Sequence, residues 1–558
     1  MFNKIILIFS LIISTTTSIY SEPQFTELNR FGNGYNSHCI ALADFNGDNR
    51  LDVAVGNVWD EGNQLYVNTG ELNFDSISLF GSQSTRGMAW GDYNNDGLID
   101  LAVANDWGES NLMYIQVYPS VFAFLPIFGT GNSYAISWAD YDNDGDIDAA
   151  IINGANEPEP NILYKNLGDA NFEEMRVLGN GCSRCGIWGD YDNDGKPDFA
   201  VAQREDGMSI FHNEGNDIFT EIVVPWPSCI CGLSWGDYDN DGDLDLAVAT
   251  LLNSTVDILK NNNGTFEHLH IANLYMASGI EWLDFDLDGD LDITVGSYDD
   301  SVPAVIYENQ GDTIFTRYNL SGPLCIMSLT VGDIDNDGDV DICVPVYYDT
   351  LQNKLFRNNL NSSNYIKVTV EGRATQGFSN FCGIGTKVRI FDVISNEMKG
   401  FREIFGGGIR GSMSAMEAIF GVSPSDSYNI VVEWPTSGII DSVKNVTSPC
   451  IVHIIEGQSM GVKEISSPNK QLPLSIYPNP GKNNFHISYT LEKTEKTSLN
   501  VYDISGRLVE EVIRKKQCPG MHTIIWNVKK NNSLKEGVYF LVLEREQKYF
   551  SKKFIVLR

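Results

Sequence analysis

The segment DYDNDGDLD, residues 237–245, places aspartates at positions 1, 3, 5 and 9 of a nine-residue loop: Asp237, Asp239, Asp241 and Asp245. Carboxylates this close repel each other unless a cation neutralises them or the segment stays disordered in water. The apolar run LAVA that follows argues against disorder. Oxygen ligands in a flexible loop, with glycine at position 6 for the sharp turn, suit Ca²⁺ better than zinc or copper. The loop therefore predicts a calcium site.

The same loop occurs seven times, at intervals of 47 to 50 residues. Positions 1, 3, 5 and 9 carry Asp or Asn in every copy, and the backbone carbonyl of position 7 can join them around one ion. The first two copies are weaker candidates because asparagine stands at position 3, and the first also lacks the glycine. The loops start at Asp44, Asp92, Asp140, Asp190, Asp237, Asp284 and Asp333.

This pattern predicts up to seven calcium ions. The predicted side-chain ligands, loop by loop, are Asp44, Asn46, Asp48 and Asp52; Asp92, Asn94, Asp96 and Asp100; Asp140, Asp142, Asp144 and Asp148; Asp190, Asp192, Asp194 and Asp198; Asp237, Asp239, Asp241 and Asp245; Asp284, Asp286, Asp288 and Asp292; and Asp333, Asp335, Asp337 and Asp341. The predicted carbonyl ligands belong to Arg50, Leu98, Asp146, Lys196, Asp243, Asp290 and Asp339.

An EF-hand and an ordinary acidic turn both fit the loops less well. An EF-hand requires glutamate at position 12 and flanking helices, whereas position 12 is Val248 in the fifth loop and Ile151 in the third, each inside a strand-like run. Ordinary acidic turns need no ion, but the full pattern then recurs seven times without a cause. Because uncompensated loops would repel internally, we expect calcium binding and folding to be coupled.

The elements that position the loops are short strands. Each repeat of nearly fifty residues carries four strand-like runs separated by turn residues, which predicts a seven-bladed β-propeller. The last repeat lacks a fourth run, and residues 23–31 (PQFTELNRF) resemble the fourth runs of the other repeats. We expect residues 23–31 to complete the last blade and close the ring.

At these residues the chain resembles a known family. The repeats are similar to the FG-GAP/VCBS repeats of integrin α-chain-type propellers, with Trp-Gly or Val-Gly often standing where Phe-Gly gives the family its name. The resemblance covers residues 22–360 and implies Ca²⁺ bound in the hairpin between the first two strands of each blade. It implies no single function, because propellers serve as scaffolds.

Two further segments follow the repeats. Residues 361–456 read as a small β-rich domain and resemble the ASPIC/UnbV domain that follows such repeats in cartilage acidic protein-like proteins. The glycines of this segment are expected to make turns, and no catalytic constellation stands out in it. The carrying residues are Gly383-Ile384-Gly385, the GGG at 406–408, Phe420-Gly421, Trp434-Pro435 and Ser437-Gly438.

Residues 457–473 read as a linker, and residues 474–558 as a β-sandwich. The sandwich resembles the C-terminal sorting domain of the type IX secretion system. This resemblance implies recognition by the type IX machinery, export across a Gram-negative outer membrane, removal of the tail, and attachment to the outer cell surface or release. The carrying residues are Tyr477-Pro478-Asn479-Pro480, Ser505-Gly506-Arg507 and Gly537-Val538-Tyr539.

The net charge of the chain limits the classes of partner that it can bind. The formal net charge of −36 makes nucleic acid and anionic membranes poor partners. Residues 1–21 read as a secretory signal peptide, with cleavage between Ser18 and Glu22, and no other run is long and apolar enough to span a membrane. A Cys182–Cys229 disulfide between adjacent blades is one possibility, but packing of small side chains near the axis accounts better for most of the cysteines.

We expect a binding protein that recognises an extracellular protein or glycan, rather than an enzyme. The alternatives are a carbohydrate-active enzyme of the polysaccharide lyase or dehydratase type, and a purely structural component. His268 and His270 share one strand face but have no third ligand nearby in sequence. An arc six residues before the loops could bind an acidic sugar or pack between blades, and we favour packing. Its members are His38, Arg86, Tyr134 and Arg184.

Overall fold

The computed structural model describes residues 25–31, 36–59, 61–79, 83–118, 120–154, 157–168, 171–203, 207–226, 229–311, 313–347, 351–360, 362–458, 475–477, 484–491, 495–503, 507–517, 520–527, 534–535, 537–545 and 548–556. The predicted signal peptide and most of the predicted linker lie outside these residues. The described residues form strands, turns and irregular segments, which confirms the predicted all-β fold. None of them forms a helix long and apolar enough to cross a bilayer. They fall into two compact units, Met1–Ile465 and Ser466–Arg558.

Seven antiparallel sheets, numbered 1 to 7 by their acidic loop, make up most of the first unit. In each sheet the acidic loop joins a first strand to a second strand, and a third and an outer strand follow. The first strands are Ser37–Ala43, Thr85–Gly91, Ser133–Ala139, Ser183–Gly189, Ile230–Gly236, Ala277–Leu283 and Thr330–Gly332. The second strands are Asp52–Asn57, Asp100–Asn105, Asp148–Asn153, Asp198–Gln203, Asp245–Thr250, Asp292–Ser297 and Asp341–Val344.

The third and outer strands complete the sheets. The third strands are Gln64–Gly70, Leu112–Tyr118, Ile162–Asn166, Gly207–Gly215, Thr255–Asn262, Pro303–Asn309 and Asn353–Asn358. The outer strands of sheets 1 to 6 are Asn73–Ser78, Val121–Leu125, Phe172–Met175, Ile218–Val224, Thr265–Asn273 and Phe315–Pro323. Two small ribbons pair Glu109–Ser110 with Thr130–Gly131 and Glu159–Pro160 with Asn180–Gly181.

The sheets form a closed ring. First strands of consecutive sheets contact each other, and the first strand of sheet 7 contacts that of sheet 1. Sheet 7 takes its outer strand from the N-terminal side of the repeats: Phe25–Phe31 pairs antiparallel with Asn353–Asn358, and Phe25 lies opposite Asn358. The strand predicted to close the ring therefore does so over its described residues, and it covers a backbone edge that would otherwise be open.

Tryptophans two residues before the loops fill the space between sheets. Trp90 is fully buried and stacks on Phe45 of the preceding loop, with ring centroids 5.6 Å apart. Trp282 stacks in the same way on Tyr238 at 6.2 Å. The large aromatic surface removed from water at each sheet–sheet contact stabilises the ring.

The cysteines pack as small buried side chains. Cys39 and Cys185 are fully buried at the small-residue position five before their loops. The alternative of a Cys182–Cys229 disulfide is wrong: the Sγ atom of Cys229 lies 3.8 Å from that of Cys231, and Cys182 and Cys229 are both free thiols. The strand begins at Ile230 with a register shift before Gly232, and this irregular backbone brings the thiol of Cys229 to that of Cys231 rather than to Cys182.

Residues 362–458, called the module below, form two sheets around a separate apolar core. In one sheet, Tyr365–Glu371 pairs antiparallel with Ala418–Gly421 and parallel with Cys450–Ile455. The core of the module includes Trp434, whose Nε1 donates to Oδ2 of Asp441 at 2.9 Å. The second sheet contains, in order, Met398–Glu403, Lys387–Asp392, Tyr428–Glu433 and Ile440–Val446.

Residues 406–415 of the module, called the channel segment, pass into the centre of the ring. They bond to first strands on several sides, so the chain itself fills the channel. These bonds join Gly406 and Gly407 to Trp138 and Ser137 in sheet 3, Gly408 to Cys185 in sheet 4, Gly411 to Met88 in sheet 2, Met413 to Ile40 and Leu42 in sheet 1, Ala415 to Val331 in sheet 7, and Ser414 to Glu281 in sheet 6.

The glycines at 406–408 were predicted to form turns, but in the structure they allow close contacts between backbones. A Cβ atom on Gly408 would lie 2.1 Å from the carbonyl oxygen of Gly186, and one on Gly406 would lie 2.2 Å from that of Trp138. Gly411 has φ of +80°, and a Cβ atom on it would lie 2.1 Å from the carbonyl oxygen of Arg86. These positions let two backbones meet inside the ring.

The second unit also contains two sheets around one apolar core. The smaller sheet contains Ser475–Tyr477, Asn484–Leu491 and Gly520–Asn527, and the larger contains Leu508–Gln517, Glu495–Asp503, Gly537–Arg545 and Lys548–Val556. Fully buried Phe485 from one sheet and Leu541 from the other belong to the same core. This is the predicted sandwich architecture.

We predict that Gly408→Ala destabilises the first unit more than Gly377→Ala does. Both glycines have positive φ, +102° and +79°, so alanine costs about 1–2 kcal/mol of strain at either site. Only Gly408 adds a backbone clash, because nothing lies within 4 Å of a Cβ on Gly377. Thermal unfolding followed by near-ultraviolet circular dichroism measures the difference. Equal melting temperatures for the two variants would contradict the insertion of the channel segment.

Candidate metal centres

The first aspartate of each loop is held by the backbone of that loop. In the fifth loop, Asp237 accepts the N–H groups of Asp241 at 3.0 Å and Gly242 at 3.1 Å. The same two bonds recur in the other six loops. Asn240 at position 4 takes φ of +57° and Gly242 takes +97°, conformations that these residue types adopt readily. The sharp turn predicted for the loops is therefore formed.

The aspartate at position 5 fixes the other half of the turn. Its carboxylate accepts the N–H group of position 7, so the residues predicted as carbonyl ligands are held by their amides. The amides that donate in this way belong to Arg50, Leu98, Asp146, Lys196, Asp243, Asp290 and Asp339.

The aspartate at position 9 starts the second strand and is buried in every loop. Asp245 accepts the N–H of Asn261 in the third strand at 2.7 Å through Oδ1. Burial, with the nearby negative charge of Asp239, raises the pKa of Asp245 to about 9. Burial likewise raises the pKa of Asp100 to about 8, with Asp92 and Asp96 adding to the shift. A bound cation would oppose both causes.

Several carboxylate oxygens in the loops are buried without a hydrogen-bond partner. Among the described residues these include Oδ1 of Asp142, Asp239 and Asp335 at position 3, and Oδ2 of Asp100 and Asp198 at position 9. Such oxygens are costly to bury, and a hard divalent cation satisfies them. The residues present therefore fit calcium, which would lie among positions 1, 3, 5 and 9.

Candidate ligand atoms lie close together in several loops. The described residues form groups in which one candidate ligand atom per residue lies within 4.8 Å of the others, and five of these groups lie in the third to sixth loops. These five groups are Asp140, Asp142 and Asp148; Asp190, Asp192 and Asp194; Asp192, Asp198 and His212; Asp237, Asp239 and Asp241; and Asp284, Asp286 and Asp292.

Basic side chains already neutralise part of the charge in five loops, a feature that was not predicted from the sequence. Three of them come from one place in the third strand, immediately before a buried asparagine. The ion pairs join Arg50 to Asp48, Lys165 to Asp142 at 2.8 Å, Lys196 to Asp194, Lys260 to Asp239, and Arg357 to Asp335 and Asp337. In sheet 4 the same third-strand place carries His212, whose Nδ1 lies 3.1 Å from Oδ1 of Asp198.

In sheet 6, the residue at this third-strand place is negatively charged instead of basic. The third-strand residue is Glu308, which is 4% exposed, and its Oε2 is buried without a hydrogen-bond partner. Burial and the charges of Asp288, Asp284 and Glu308 raise the pKa of Asp286 to about 8. Within the described part of the chain, no ion pair joins this loop to a basic side chain.

Outside sheet 6, the charge of the residue at the third-strand place corresponds to the residue type at position 3 of the loop in the same sheet. Where position 3 is Asn46 or Asn94, the third-strand residue is the apolar Val67 or Ile115. Where position 3 is aspartate, the third-strand residue is basic or histidine, except in sheet 6. The sixth loop therefore has an excess of negative charge that its own sheet does not balance.

Asparagines at position 4 join five of the loops to the next loop of the ring. Asn143 at position 4 of the third loop donates to the carbonyl oxygen of Gly195 in the fourth loop at 2.9 Å. Asn336 in the seventh loop donates to the carbonyl oxygen of Asn49 in the first, again at 2.9 Å, across the point where the ring closes. These bonds link the second to sixth loops into one series and the seventh loop to the first.

A second set of amides comes from the third strands. Asn166 is fully buried, and its Nδ2 donates to the carbonyl oxygens of Tyr93 in the preceding loop at 2.8 Å and Ile147 in its own loop at 3.1 Å. The same role recurs in every sheet. The signal in the sequence is an amide 15 to 18 residues after position 9: Asn68, Gln116, Asn166, Asn213, Asn261, Asn309 and Asn358.

The module covers part of the ring face that carries the loops. Its buried Lys367 donates to Oδ2 of Asp333 at 2.9 Å, and Lys387 donates to Oδ2 of Asp190 at 2.6 Å. Uncharged groups dock on other first aspartates: the hydroxyl of Thr436 lies 2.6 Å from Oδ2 of Asp140. The first aspartates therefore serve both the loops and the contact with the module.

The two remaining sequence candidates lie elsewhere. His268 and His270 lie on one face of their strand, as predicted, and both contact Asp257 of the adjacent strand, at 3.3 and 2.8 Å. The arc is brought together at the far end of the channel, where Arg86 and Arg184 flank the ring of Tyr134.

Family models match two parts of the chain. Residues 475–557 match the secretion system C-terminal sorting domain. Five segments match the FG-GAP-like repeat: residues 44–103, 92–151, 190–248, 237–295 and 284–344. The chain carries FG-GAP-like repeats and a secretion sorting domain. The sorting domain directs the protein to the outer surface or the extracellular space of a Gram-negative bacterium, through the type IX system.

Solved structures give weaker likenesses. A lectin of Agrocybe aegerita that recognises non-reducing terminal N-acetylglucosamine is 15% identical, with 59% of this chain and 97% of that chain covered and a TM-score of 0.38. YCF48 bound to the D1 peptide is 10% identical over 61% and 96%, with a TM-score of 0.41. PorZ, a surface component of the type IX system of Porphyromonas gingivalis, is 12% identical over 95% and 82%, with a TM-score of 0.31. No curated protein matches the chain.

We predict that Asn166→Ala destabilises the first unit by about 3 kcal/mol, because it removes the donor for two buried carbonyl oxygens. Asn171→Ala, at an exposed site just before the outer strand of the same sheet, is the control and should cost about 0.5 kcal/mol or less. Urea unfolding at saturating calcium measures both. A loss for Asn166→Ala as small as that of the control would show that the amide links contribute nothing.

Proposed function

We propose that this chain is an exported calcium-binding protein whose ring presents a binding surface to an extracellular protein or glycan. The observation that carries the calcium part is the sixth loop. Asp284, Asp286, Asp288 and Asp292 occur there beside Glu308, and none of these four aspartates forms an ion pair with a basic side chain of the described residues. The positive charge of Arg402 in the module opposes the raised pKa of Asp284, but this single charge faces five carboxylates. A divalent cation is the simplest source of the positive charge that is still missing.

The seven loops should differ in affinity. In the third and fifth loops calcium competes with the ammonium groups of Lys165 and Lys260 for the position-3 aspartate. In the sixth loop it meets an additional carboxylate, and in the second loop no ion pair is formed among the described residues. We therefore propose that the sixth loop binds calcium most tightly. The second loop, which Asn94 makes a weaker candidate on sequence alone, comes next.

Binding rather than catalysis remains our proposal. The carboxylates of the loops, which are the most obvious acid–base candidates, are engaged in hydrogen bonds that shape the turns, such as those from Asp241 and Gly242 to Asp237. The resemblance of residues 361–456 to the ASPIC/UnbV domain stays a prediction. We propose that this module caps the loop face and fixes the ring, leaving the opposite face for a ligand.

Calcium removal should lower the stability of the mature protein. A site with a hundredfold excess of calcium over its Kd contributes about 3 kcal/mol, so EDTA should lower the melting temperature by several degrees. Differential scanning calorimetry with EDTA or millimolar calcium, with metal analysis of the purified chain, tests this. The same melting temperature in both buffers, with no calcium in the purified chain, would overturn the calcium proposal.

Glu308→Lys should remove the tightest site and leave the fold intact. The new ammonium takes the place that Lys260 has beside Asp239, so we expect one calcium ion fewer per chain and a smaller effect of EDTA. Glu157→Lys, the same charge change at an exposed residue that follows the second strand of sheet 3, away from the loops, is the control. Calcium titration calorimetry measures both variants. If calcium stoichiometry and affinity are unchanged in Glu308→Lys, Glu308 has no role in the site.

A further inference from the structure

A cluster of positive charge lies in the channel, at the end away from the acidic loops. The guanidinium carbon of Arg86 lies 5.1 Å from the centroid of the Tyr134 ring, and that of Arg184 lies 6.0 Å from it. The ring of His38 meets the same tyrosine edge-on at 5.5 Å. The channel segment adds Arg410 from inside. The first strands of two sheets and one inserted segment thus bring arginines to one place, and His38 and Tyr134 of two further sheets lie beside them.

Arg410 is buried without a neutralising partner. It is 1% exposed, its Nε and Nη1 have no hydrogen-bond partner, and its Nη2 reaches only the sulfur of Met327, at 3.8 Å. The Nε of Arg184 and Nε2 of His38 are also buried without partners. Burying an unpaired guanidinium is costly, so this arrangement indicates a missing anion.

The negative groups around the cluster do not balance it. Arg86 pairs with Asp106 at 3.0 Å, which accounts for one of the three arginines. Even a thiolate at Cys231, whose Sγ lies 3.6 Å from Nη1 of Arg184, leaves positive charge in excess. Burial and the three arginines Arg86, Arg410 and Arg184 lower the pKa of His38, so His38 adds no charge of its own.

Aromatic side chains lead from solvent to this cluster. Trp59 and Trp107 follow the second strands of sheets 1 and 2, at the ends opposite the acidic loops, and are 52% and 67% exposed. Both have positive φ, 63° and 60°, a strained conformation for bulky residues that is typical of functional sites. The ring of Trp59 lies 5.5 Å from that of Tyr347, which lies 6.4 Å from His38.

The sequence alone favours packing for the arc. From the unpartnered buried nitrogens we propose instead that this end of the channel binds the carboxylate or sulfate group of an acidic sugar. Arg184 and Arg410 bind the anionic group, and Trp59 and Trp107 contact the apolar face of the sugar. Arginine donors match oxyanions in geometry, and aromatic rings cover sugar faces through apolar contact. The proposal deepens the binding role proposed above by naming the chemistry of its ligand, and it does not depend on calcium in the loops.

Titration calorimetry with sodium glucuronate and with sodium sulfate, at ionic strength matched with sodium chloride and in saturating calcium, tests the site. We expect glucuronate to bind at least tenfold more tightly than sulfate, and Trp59→Ala to remove that difference. Binding of sulfate alone would assign the site to a free oxyanion and overturn the sugar. Binding of neither anion would overturn the site. Repeating the titration in EDTA separates this result from the calcium proposal, since a calcium-independent ring should keep its anion response.

A pair of arginine variants provides a control for folding. Arg410→Met removes an unbalanced buried charge, so without anions we expect a higher melting temperature than in the natural chain, and no response to glucuronate. Arg402→Met removes a guanidinium of the same module that lies among the carboxylates of Asp284 and Asp237. It should lower the melting temperature and keep the glucuronate response. A response to glucuronate that persists in Arg410→Met would overturn the role of Arg410.

An independent site lies on the outer edge of sheet 5. His268 and His270 come from the outer strand, and Asp257 from the third strand lies opposite His270 in the sheet register. Nε2 of His268 and Nδ1 of His270 lie 3.3 and 2.8 Å from the same oxygen, Oδ1 of Asp257. Ligand atoms of a tetrahedral zinc ion are separated by roughly 3.3 Å, so zinc would replace the 2.8 Å hydrogen bond between His270 and Asp257 and widen that contact. Both imidazoles are about half-exposed.

We infer that His268, His270 and Asp257 form a zinc site with one position left for water. Replacement of zinc by Co²⁺, in the presence of millimolar calcium, should give the intense visible absorption of a tetrahedral ion with histidine ligands. His270→Ala should lose it, whereas His453→Ala, which removes a histidine paired with Glu371, should keep it. Absence of that absorption in the natural chain, or its persistence in His270→Ala, would overturn this site.

Discussion

Repulsion among carboxylates in the seven loops is the constraint on which the rest of the ring depends. Each loop buries an aspartate at position 9 and places two or three more within a few ångströms, so each must acquire positive charge or hydrogen-bond donors. The backbone supplies donors to positions 1, 5 and 9 in every loop. The remaining negative charge is reduced in different ways in different sheets. Lys165, Lys260 and Arg357 supply positive charge, and Asn46 replaces an aspartate. In the sixth loop, no residue of its own sheet does either.

The same constraint connects the module to the ring. The first aspartates keep acceptor capacity on the outer side of the loops, and Lys367, Lys387 and Thr436 use it. The channel segment then reaches through the ring and bonds to first strands on several sides. A ring of sheets held only by side-by-side packing could open at the joint between sheets 7 and 1. Here the joint is crossed by the strand Phe25–Phe31, by the amide of Asn336, and by the channel segment.

The repeating features of this fold could be predicted from the sequence, and the singular ones could not. The period of nearly fifty residues predicted the sheets, the turn geometry of the loops and the closing strand. The path of the channel segment could not be predicted, because Gly406 and Gly408 read as turn residues until a facing backbone is known. The balance of charge at position 3 was also missed: Glu308 lies some twenty residues after Asp286, on a strand whose register sequence alone does not fix. Asp257 was missed as a partner of His268 and His270 for the same reason.

Our central proposal is that the loops are cation sites whose occupancy follows the charge left unbalanced by each sheet. A crystal structure of the mature protein grown in calcium, with an anomalous difference map collected at long wavelength, tests it most directly. We expect an anomalous peak in the sixth loop, with oxygens of Asp284, Asp286, Asp288, Asp292 and Glu308 around it. A sixth loop without a peak, beside peaks in the third and fifth loops with Lys165 and Lys260 displaced, would contradict it.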